Sequence, residues 1–247
     1  MSSTIETPIE HRDIVIVHSS DVHLDHDSEE RGTGDSTRYL EAVLGAAREA
    51  KADLVLLAGD TFESNRQPPE FIDRVAAMFA ESPAPIVLLP GNHDPLLPDT
   101  LYRRIQEAKI DLLHILGLTH DELLGFDAFD LEIWGRAHRD YNDMIPFEQV
   151  PARRRRWHIA MGHGHYEPSP DRGSHPRPSW LIGDAELAAT QADYVALGHW
   201  NRAVKVGGEE VLAHYSGSPD LAKSVNVIRL RSTGMVEVHA LGLNLAT

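Results

Sequence analysis

Four short apolar runs rich in β-branched residues, at 13–18, 53–58, 85–89 and 111–116, are spaced so that a helix-length segment separates each from the next. Runs of this length and composition read as buried strands. Between the first two, Leu40, Val43, Leu44 and Ala47 recur at helical spacing. Pro68 and Pro69 open a second helical stretch to Ala80 with Phe71, Ile72, Val75 and Phe79 on one face, and a third runs from Asp99 to Ala108. Ser36 and Asp99 are the expected N-caps of the first and third helices. Such alternation specifies a mainly parallel sheet covered by helices, with ligands at the carboxyl ends of the strands.

The residues at those ends carry the chemistry. Asp21-Val22-His23 follows the first strand, Gly59-Asp60 the second and Gly91-Asn92-His93-Asp94 the third, while Gly162-His163 and Gly198-His199 follow later runs at 157–161 and 194–197. Asp21 and His23, one residue apart on an extended chain, are expected to point to the same side and grip one ion. Gly59, lacking a side chain, lets backbone and metal come close. The two oxygens of Asp60 suit it to bridge a pair of cations, Asn92 offers a carbonyl oxygen, and His163 and His199 offer imidazole nitrogens. This mixture favours Mn, Fe, Zn, Co or Ni over Ca or Mg. Two such ions about 3.5–4 Å apart clamp a phosphate and lower the pKa of a shared water. His93, next to a ligand, reads as the general acid that protonates the leaving oxygen, with Asp94 holding or polarising its imidazole.

Composition narrows the alternatives. A chain of 247 residues without low-complexity stretches is expected to form one catalytic domain over 13–247 after a polar tail at 1–12. No apolar run approaches the roughly 20 residues that cross a bilayer, and the tail lacks a signal-peptide core, so a cytoplasmic protein with no membrane partner is expected. The absence of cysteine removes thiolate mechanisms and Cys-ligated zinc. A net charge of -15, from 38 acidic and 23 basic residues, repels polyanions at long range and weighs against a nucleic-acid partner. Arg153 to Arg156 is one compact basic run, read as a solvated turn before the strand at 157–161. Among 15 histidines, His11, His26, His120, His175 and His239 stand outside any motif and read as surface or satisfied polar residues.

The later half, with apolar runs at 131–134, 157–161, 194–197, 211–215 and 225–230, has more strand and less helix, which implies a second sheet packed on the first. Residues 165–180 hold four prolines and read as a long loop that shapes substrate access. Asp184 and Glu186, after Gly183, read as helix-start residues. Taken alone, Gly59-Asp60 is an ordinary strand-to-turn junction and His163 a satisfied core histidine. Five such marks in order make a site.

In that order the five blocks resemble those of the calcineurin-like metallophosphoesterases, over roughly 13–215. Ser20-Asp21-Val22-His23-Leu24, Gly59-Asp60-Thr61-Phe62-Glu63, Pro90-Gly91-Asn92-His93-Asp94 and Tyr215-Ser216-Gly217-Ser218-Pro219 most resemble the SbcD/Mre11 branch of DNA-repair nucleases. The resemblance implies an α/β (α+β) four-layer sandwich, two mixed β-sheets flanked by helices. It further implies two divalent metal ions, one held by Asp21, His23 and Asp60 and the other by Asp60, Asn92, His163 and His199, with manganese the expected ion. The activity implied is hydrolysis of a phosphoester by a metal-activated water, in the manner of a phosphodiesterase or nuclease.

Two departures stand out. The family's fifth block is Gly-His-x-His, whereas this chain reads Gly198-His199-Trp200-Asn201. Asn201 is a weaker ligand than the histidine it replaces, leaving open a weakened site, a changed metal preference or a lost ion, and His165 is a candidate substitute ligand or phosphate contact. Second, SbcD/Mre11 nucleases carry a further domain that helps hold DNA, and 28 residues follow Pro219 here. A nucleotide, a smaller phosphoester or a short single strand is therefore as good a substrate as duplex DNA, and a non-catalytic phosphate-binding protein is the contrasting reading. Arg136, His138 and Arg139 are further candidates for substrate contact. Oligomeric state leaves no mark in the sequence.

Overall fold

The computed structural model describes residues 12–141, 144–174 and 176–245. The first half follows the alternation read from the sequence: strand β1 (Ile14–Ser19), helix α1 (Thr37–Ala50), β2 (Leu54–Ala58), α2 (Pro69–Ala80), β3 (Ile86–Leu89), α3 (Tyr102–Glu107) and β4 (Leu113–Ile115). These four strands lie side by side in sequence order and pair parallel. Successive parallel neighbours joined by right-handed crossovers put all three helices on one face of the sheet. The other face is left for a second layer.

That layer is built next, from β5 (Leu123–Phe126), β6 (Leu131–Gly135) and β7 (Trp157–His163); a small parallel pair, β8 (His165–Tyr166) and β9 (Leu181–Ile182), precedes helix α4 (Asp184–Ala189). Strands β10 (Tyr194–Gly198), β11 (Val204–Val206) and β12 (Ala213–Tyr215) complete a six-stranded sheet in the order β11-β12-β10-β7-β6-β5. After helix α5 (Pro219–Ala222) the chain returns to the first sheet. Strand β13 (Ser224–Leu230) pairs antiparallel with β1, and β14 (Val236–Gly242) forms the edge, so the first sheet also has six strands and is mixed. The run at 225–230 thus belongs to the first sheet, not the second: the free edge of β1 offers it a full register from Ile14 opposite Leu230 to His18 opposite Asn226.

Period-two alternation decides which side chains meet between the sheets. Trp157, Ile159 and Met161 of β7, with Tyr194 and Ala196 of β10, join the core formed with β1, β2 and β3. Ala160, Val195 and Leu197 face away and pack with Leu187 of α4, Ile182 and Phe147. Strand β2 is buried along its whole length, as a central strand covered on both faces must be.

Two of the expected caps are placed differently. The Ser36 hydroxyl turns back to donate to the Asp25 carbonyl, and Asp35 Oδ1 accepts from Thr37 N–H instead. Helix α3 begins at Tyr102 rather than at Asp99, and its first turn is closed by Asn65 Oδ1, which accepts from Leu101 N–H at 3.0 Å. Glu186 behaves as read, accepting from Gly183 N–H at 2.6 Å. No helix of the described residues is long and apolar enough to cross a membrane.

Candidate metal centre

The carboxyl ends of β1, β2, β3, β7 and β10 converge, and with them the five marks. Asp21, His23 and Asp60 offer donor atoms within 4.8 Å of one another, as do Asp60, His163 and His199, so Asp60 stands where the two groups meet. A third group of the same kind joins His23, His93 and Glu63.

Backbone conformation aims these side chains. Asp21 (φ 53°), His23 (φ 51°), Asp60 (φ 50°) and His199 (φ 104°) all occupy the left-handed region, which costs non-glycine residues on the order of 1 kcal/mol each. Asp21 and His23 are therefore brought together by a turn, not by the alternation of an extended chain. The strand has ended at Ser19, and the two segments continue alongside each other through Asp21 N–H to the Gly59 carbonyl at 3.0 Å and His23 N–H to the Asp60 carbonyl at 3.1 Å. Those ladder bonds hold the strained residues in place.

Two glycines are required by the closeness of the groups. A Cβ on Gly59, itself at φ 89°, would lie 2.0 Å from His163 Nδ1. One on Gly91 would lie 2.2 Å from Asp60 Oδ1. The motif glycines thus make room for the neighbouring strand's ligand rather than for their own.

Hydrogen bonds across the two sheets set the donor atoms. His163 Nδ1–H donates to the Ala58 carbonyl at 2.9 Å, so Nε2 presents its lone pair to Asp60 Oδ2 and Asn92 Oδ1, each at 3.1 Å. Three lone-pair atoms converging on one point need a cation or a proton between them. Burial opposes charge on His163, but Asp60 outweighs it and pushes the imidazole pKa up to about 9. Burial likewise opposes the Asp60 carboxylate, yet His163 and the other nearby histidines hold its pKa below the usual range. Asp21 receives the His199 N–H on both oxygens, at 3.0 and 2.9 Å, and its pKa rises to about 6 because it is buried, with Asp60 adding to the effect. Burial, then His163, keeps the His199 ring neutral, with a pKa of about 3. A neutral imidazole among buried carboxylates and an amide oxygen is the donor set that a borderline divalent metal takes.

The surroundings of His93 differ from expectation. Its Nδ1–H donates to the backbone carbonyl of Glu63 at 3.0 Å, and the Glu63 carboxylate is 3.7 Å from the same nitrogen. Asp94 does not hold the imidazole. Fully buried, it accepts from Gly91 N–H (2.7 Å), Phe62 N–H (2.9 Å) and the Tyr102 hydroxyl (2.5 Å), and so ties the Asn92-His93 turn to the segment after β2. Its carboxylate has no accepting capacity turned toward His93 because three donors already claim it. Glu63, part of the second motif but without a role legible in the sequence, also lies 2.9 Å from His23 Nδ1. Burial works against charge on His23, but Glu63 and then Asp60 overcome it and raise its pKa to about 9.

The remaining candidates divide. His138 is completely buried, with Nε2 donating to the His163 carbonyl at 2.9 Å and its ring edge-on to His163 and Trp180. It supports His163 from behind and cannot reach a rim, because the loop after β6 folds inward where His138 N–H bonds the Pro90 carbonyl. Arg136 is paired with Glu148 and Arg139 with Glu122, so neither guanidinium is turned to the centre unengaged. His165 accepts from Trp200 Nε1–H at 3.0 Å and shares a cavity with His199 and Asn201. Asn201 is exposed and also lines a cleft with His23 and Glu63. The basic run sits at the opposite end of β7, where Arg153 pairs with Asp193 and Arg155 with Asp127. His11 and His175 lie outside the described residues.

Comparison with known proteins agrees with this geometry. A family model described as calcineurin-like phosphoesterase matches residues 14–202. Over 256 aligned positions the chain is 26% identical to SbcD, the smaller-lettered partner name within the SbcCD nuclease of Bacillus subtilis, covering 86% of this chain and 65% of that protein. It is 28% identical over 121 positions to the DNA double-strand break repair protein Mre11 of Archaeoglobus fulgidus, covering 47% of this chain and 27% of the other. The chain thus spans less than two thirds of either relative. One solved crystal structure superposes with a TM-score of 0.56 at 11% identity, covering 92% of this chain and 98% of its own, which is a likeness of fold.

Proposed function

The chain belongs to the calcineurin-like phosphoesterase family, and from that premise we propose that it is a hydrolase of phosphodiester bonds in nucleotides or nucleic-acid strands, working through two divalent cations. The observation that carries this reading is the convergence of His163 Nε2, Asp60 Oδ2 and Asn92 Oδ1 at 3.1 Å, with the Nδ1–H of His163 already committed to the Ala58 carbonyl. Asp21, His23 and Asp60 would hold one ion, and Asp60, Asn92, His163 and His199 the other, with manganese favoured by the mixed oxygen and imidazole set. When bound, such ions supply positive charge for the phosphate and activate the attacking water. Residues 13–247 would act together as one catalytic domain.

The protein's own residues do the rest. Asp60, ionised because His163 and its neighbours favour the charge, sits between the two groups of ligands. The Glu63 carboxylate holds His23 through Nδ1 and so orients its other nitrogen toward Asp21 and Asp60. His93, with Nδ1–H committed to the Glu63 carbonyl, presents Nε2–H to the leaving oxygen as general acid. Asp94 is a positioning residue for that turn. The similarity to part of a nuclease and to a DNA-repair protein supports a diester over a monoester substrate.

The leaving group tests the assignment. His93→Asn should slow cleavage of a diester with an alkyl leaving group by about 100-fold or more, while a nitrophenolate, which departs without a proton, should suffer far less. Equal losses on both substrates, with metal content unchanged, would remove His93 from the proton path. Failure of the wild-type chain to retain divalent metal on gel filtration would favour the non-catalytic reading, for which the exposed Asn201 is the motive.

A further inference from the structure

Beside the candidate centre, His165, His199, Trp200, Asn201, Arg202 and Leu221 line an open cavity of about 820 Å³, room enough for a nucleotide. Its floor is unusually well fixed. The Trp200 indole lies parallel to the Tyr215 ring, 4.6 Å between centroids and 11° between planes. Its Nε1–H donates to His165 Nδ1 at 3.0 Å, and the Tyr215 hydroxyl donates to the Gly164 carbonyl at 2.7 Å. Both rings are thereby locked, and Trp200 sits one residue after His199.

Arg202 forms the opposite side. Its guanidinium stands over the Trp200 ring, 5.1 Å from the centroid, and makes no ion pair with a described residue. Arg136 and Arg139, by contrast, are each paired with a glutamate. On a chain of net charge -15, an unengaged guanidinium next to the centre is an asset for an anionic substrate. Leu221, 64% exposed, adds an apolar wall and is shared with the cleft that contains His23 and Glu63. A fixed indole face, a guanidinium above it and an apolar flank suit a flat, partly apolar group attached to a phosphate.

We propose that Trp200 and Arg202 form the subsite that holds the nucleobase next to the scissile phosphate, the base stacking on the indole beneath the guanidinium. This rests on the phosphodiesterase reading above and names its substrate class as one bearing an unpaired base: a nucleotide diester or a single strand. A paired base inside a duplex presents no free face to the indole.

Two measurements test it. With divalent cations chelated, thymidylate should quench the tryptophan fluorescence of the full chain saturably. Trp200→Ala should weaken that binding by about tenfold, the scale of one base stacked on an aromatic ring, and Trp200→Phe should retain most of it. Arg202→Gln should weaken it by a smaller factor. No saturable binding by the wild type, or equal affinity in Trp200→Ala, would overturn the proposal. The second measurement is the ratio of kcat/KM for an aryl ester of thymidylate over an aryl ester of methyl phosphate, which should fall about tenfold in Trp200→Ala. Equal losses on both esters would mean that Trp200 merely supports His199, and the subsite assignment would fall. If the wild type cleaves neither ester with metal present, the phosphodiesterase reading fails, while the binding result still decides the base platform.

Discussion

Strand β7 carries two buried histidine–carboxylate pairs, five residues apart, that have opposite meanings. At its start His158 Nδ1 meets Glu132 Oε1 at 2.9 Å, and at its end His163 Nε2 meets Asp60 Oδ2 at 3.1 Å. All four side chains are nearly inaccessible. The odd spacing puts the two histidines on opposite faces of the sheet, His158 with Ala160 on the outer face and His163 with Ile159 and Met161 on the inner one. Glu132, directly across from His158 in register, also accepts from Arg154 N–H at 2.9 Å, so a neighbouring strand and turn satisfy it locally. Asp60 is reached across the sheets and shares His163 with Asn92 Oδ1. A closed pair fastens a sheet, whereas a pair with surplus acceptors makes a seat for a cation.

Paired substitutions would break or uphold that contrast. His163→Ala should abolish cation retention at the shared site and lower turnover by at least about 100-fold, the upper range for disturbing residues that support a metal. His158→Ala should leave metal content and turnover intact and lower unfolding stability by about 1–3 kcal/mol, the consequence of leaving a buried acceptor short of a partner. Metal analysis and urea denaturation of both proteins measure this, and loss of metal from the His158 variant would reverse the assignment.

Dependence on pH sharpens the same comparison. The His163 pKa is raised from 6.5 to about 9 in the folded protein, and that of His23 likewise. A raised pKa means that the folded state binds the proton more tightly, so this stabilisation is complete below pH 6.5 and is lost as pH rises through about 9. With cations chelated, the urea midpoint should therefore decline across that window, and His163→Gln should flatten part of the decline. Metal affinity should climb over the same range, because the ion competes with the proton at Nε2. A wild-type midpoint that stays level from pH 6.5 to 9 would show that the pair is not held by a proton when metal is absent.

The smallest effect is expected at the amino end of β7. Arg153→Ala removes a partly exposed ion pair with Asp193 and should change stability by less than about 1 kcal/mol, with no change in turnover. A large loss of nucleic-acid affinity in that variant would instead give the basic run a binding role.

Much of the centre is legible before folding. Apolar runs of strand length separated by helix-length segments leave few arrangements, and donor residues directly after five such runs must gather at one edge of the layers. The weaker strands β5, β11 and β14 are not legible in this way, because each has a wet face or an edge position and so lacks a continuous apolar run. The placing of 225–230 in the second sheet fails for a related reason: composition announces a strand but not its partner.

Roles of individual side chains are harder to read. Asp94 follows His93 in the chain, yet its carboxylate turns to Gly91, Phe62 and Tyr102, and the carbonyl of Glu63 meets the imidazole. His138 has the sequence setting of a loop residue after a strand, and the loop carries it beneath His163. Arg202 has no motif to mark it, and nothing in the sequence separates it from Arg136 and Arg139, because charge is visible in a sequence and ion pairing is not.

What the sequence determined by itself was the set of donors and the edge at which they gather, since strand length, glycine placement and apolar periodicity are local properties. Only the tertiary structure decided which nitrogen of His163 is free, which group orients His93 and which arginine remains unengaged. Each of those depends on a carbonyl or carboxylate delivered by another strand, and a hydrogen bond a few ångströms long is set by packing between layers that no local pattern encodes.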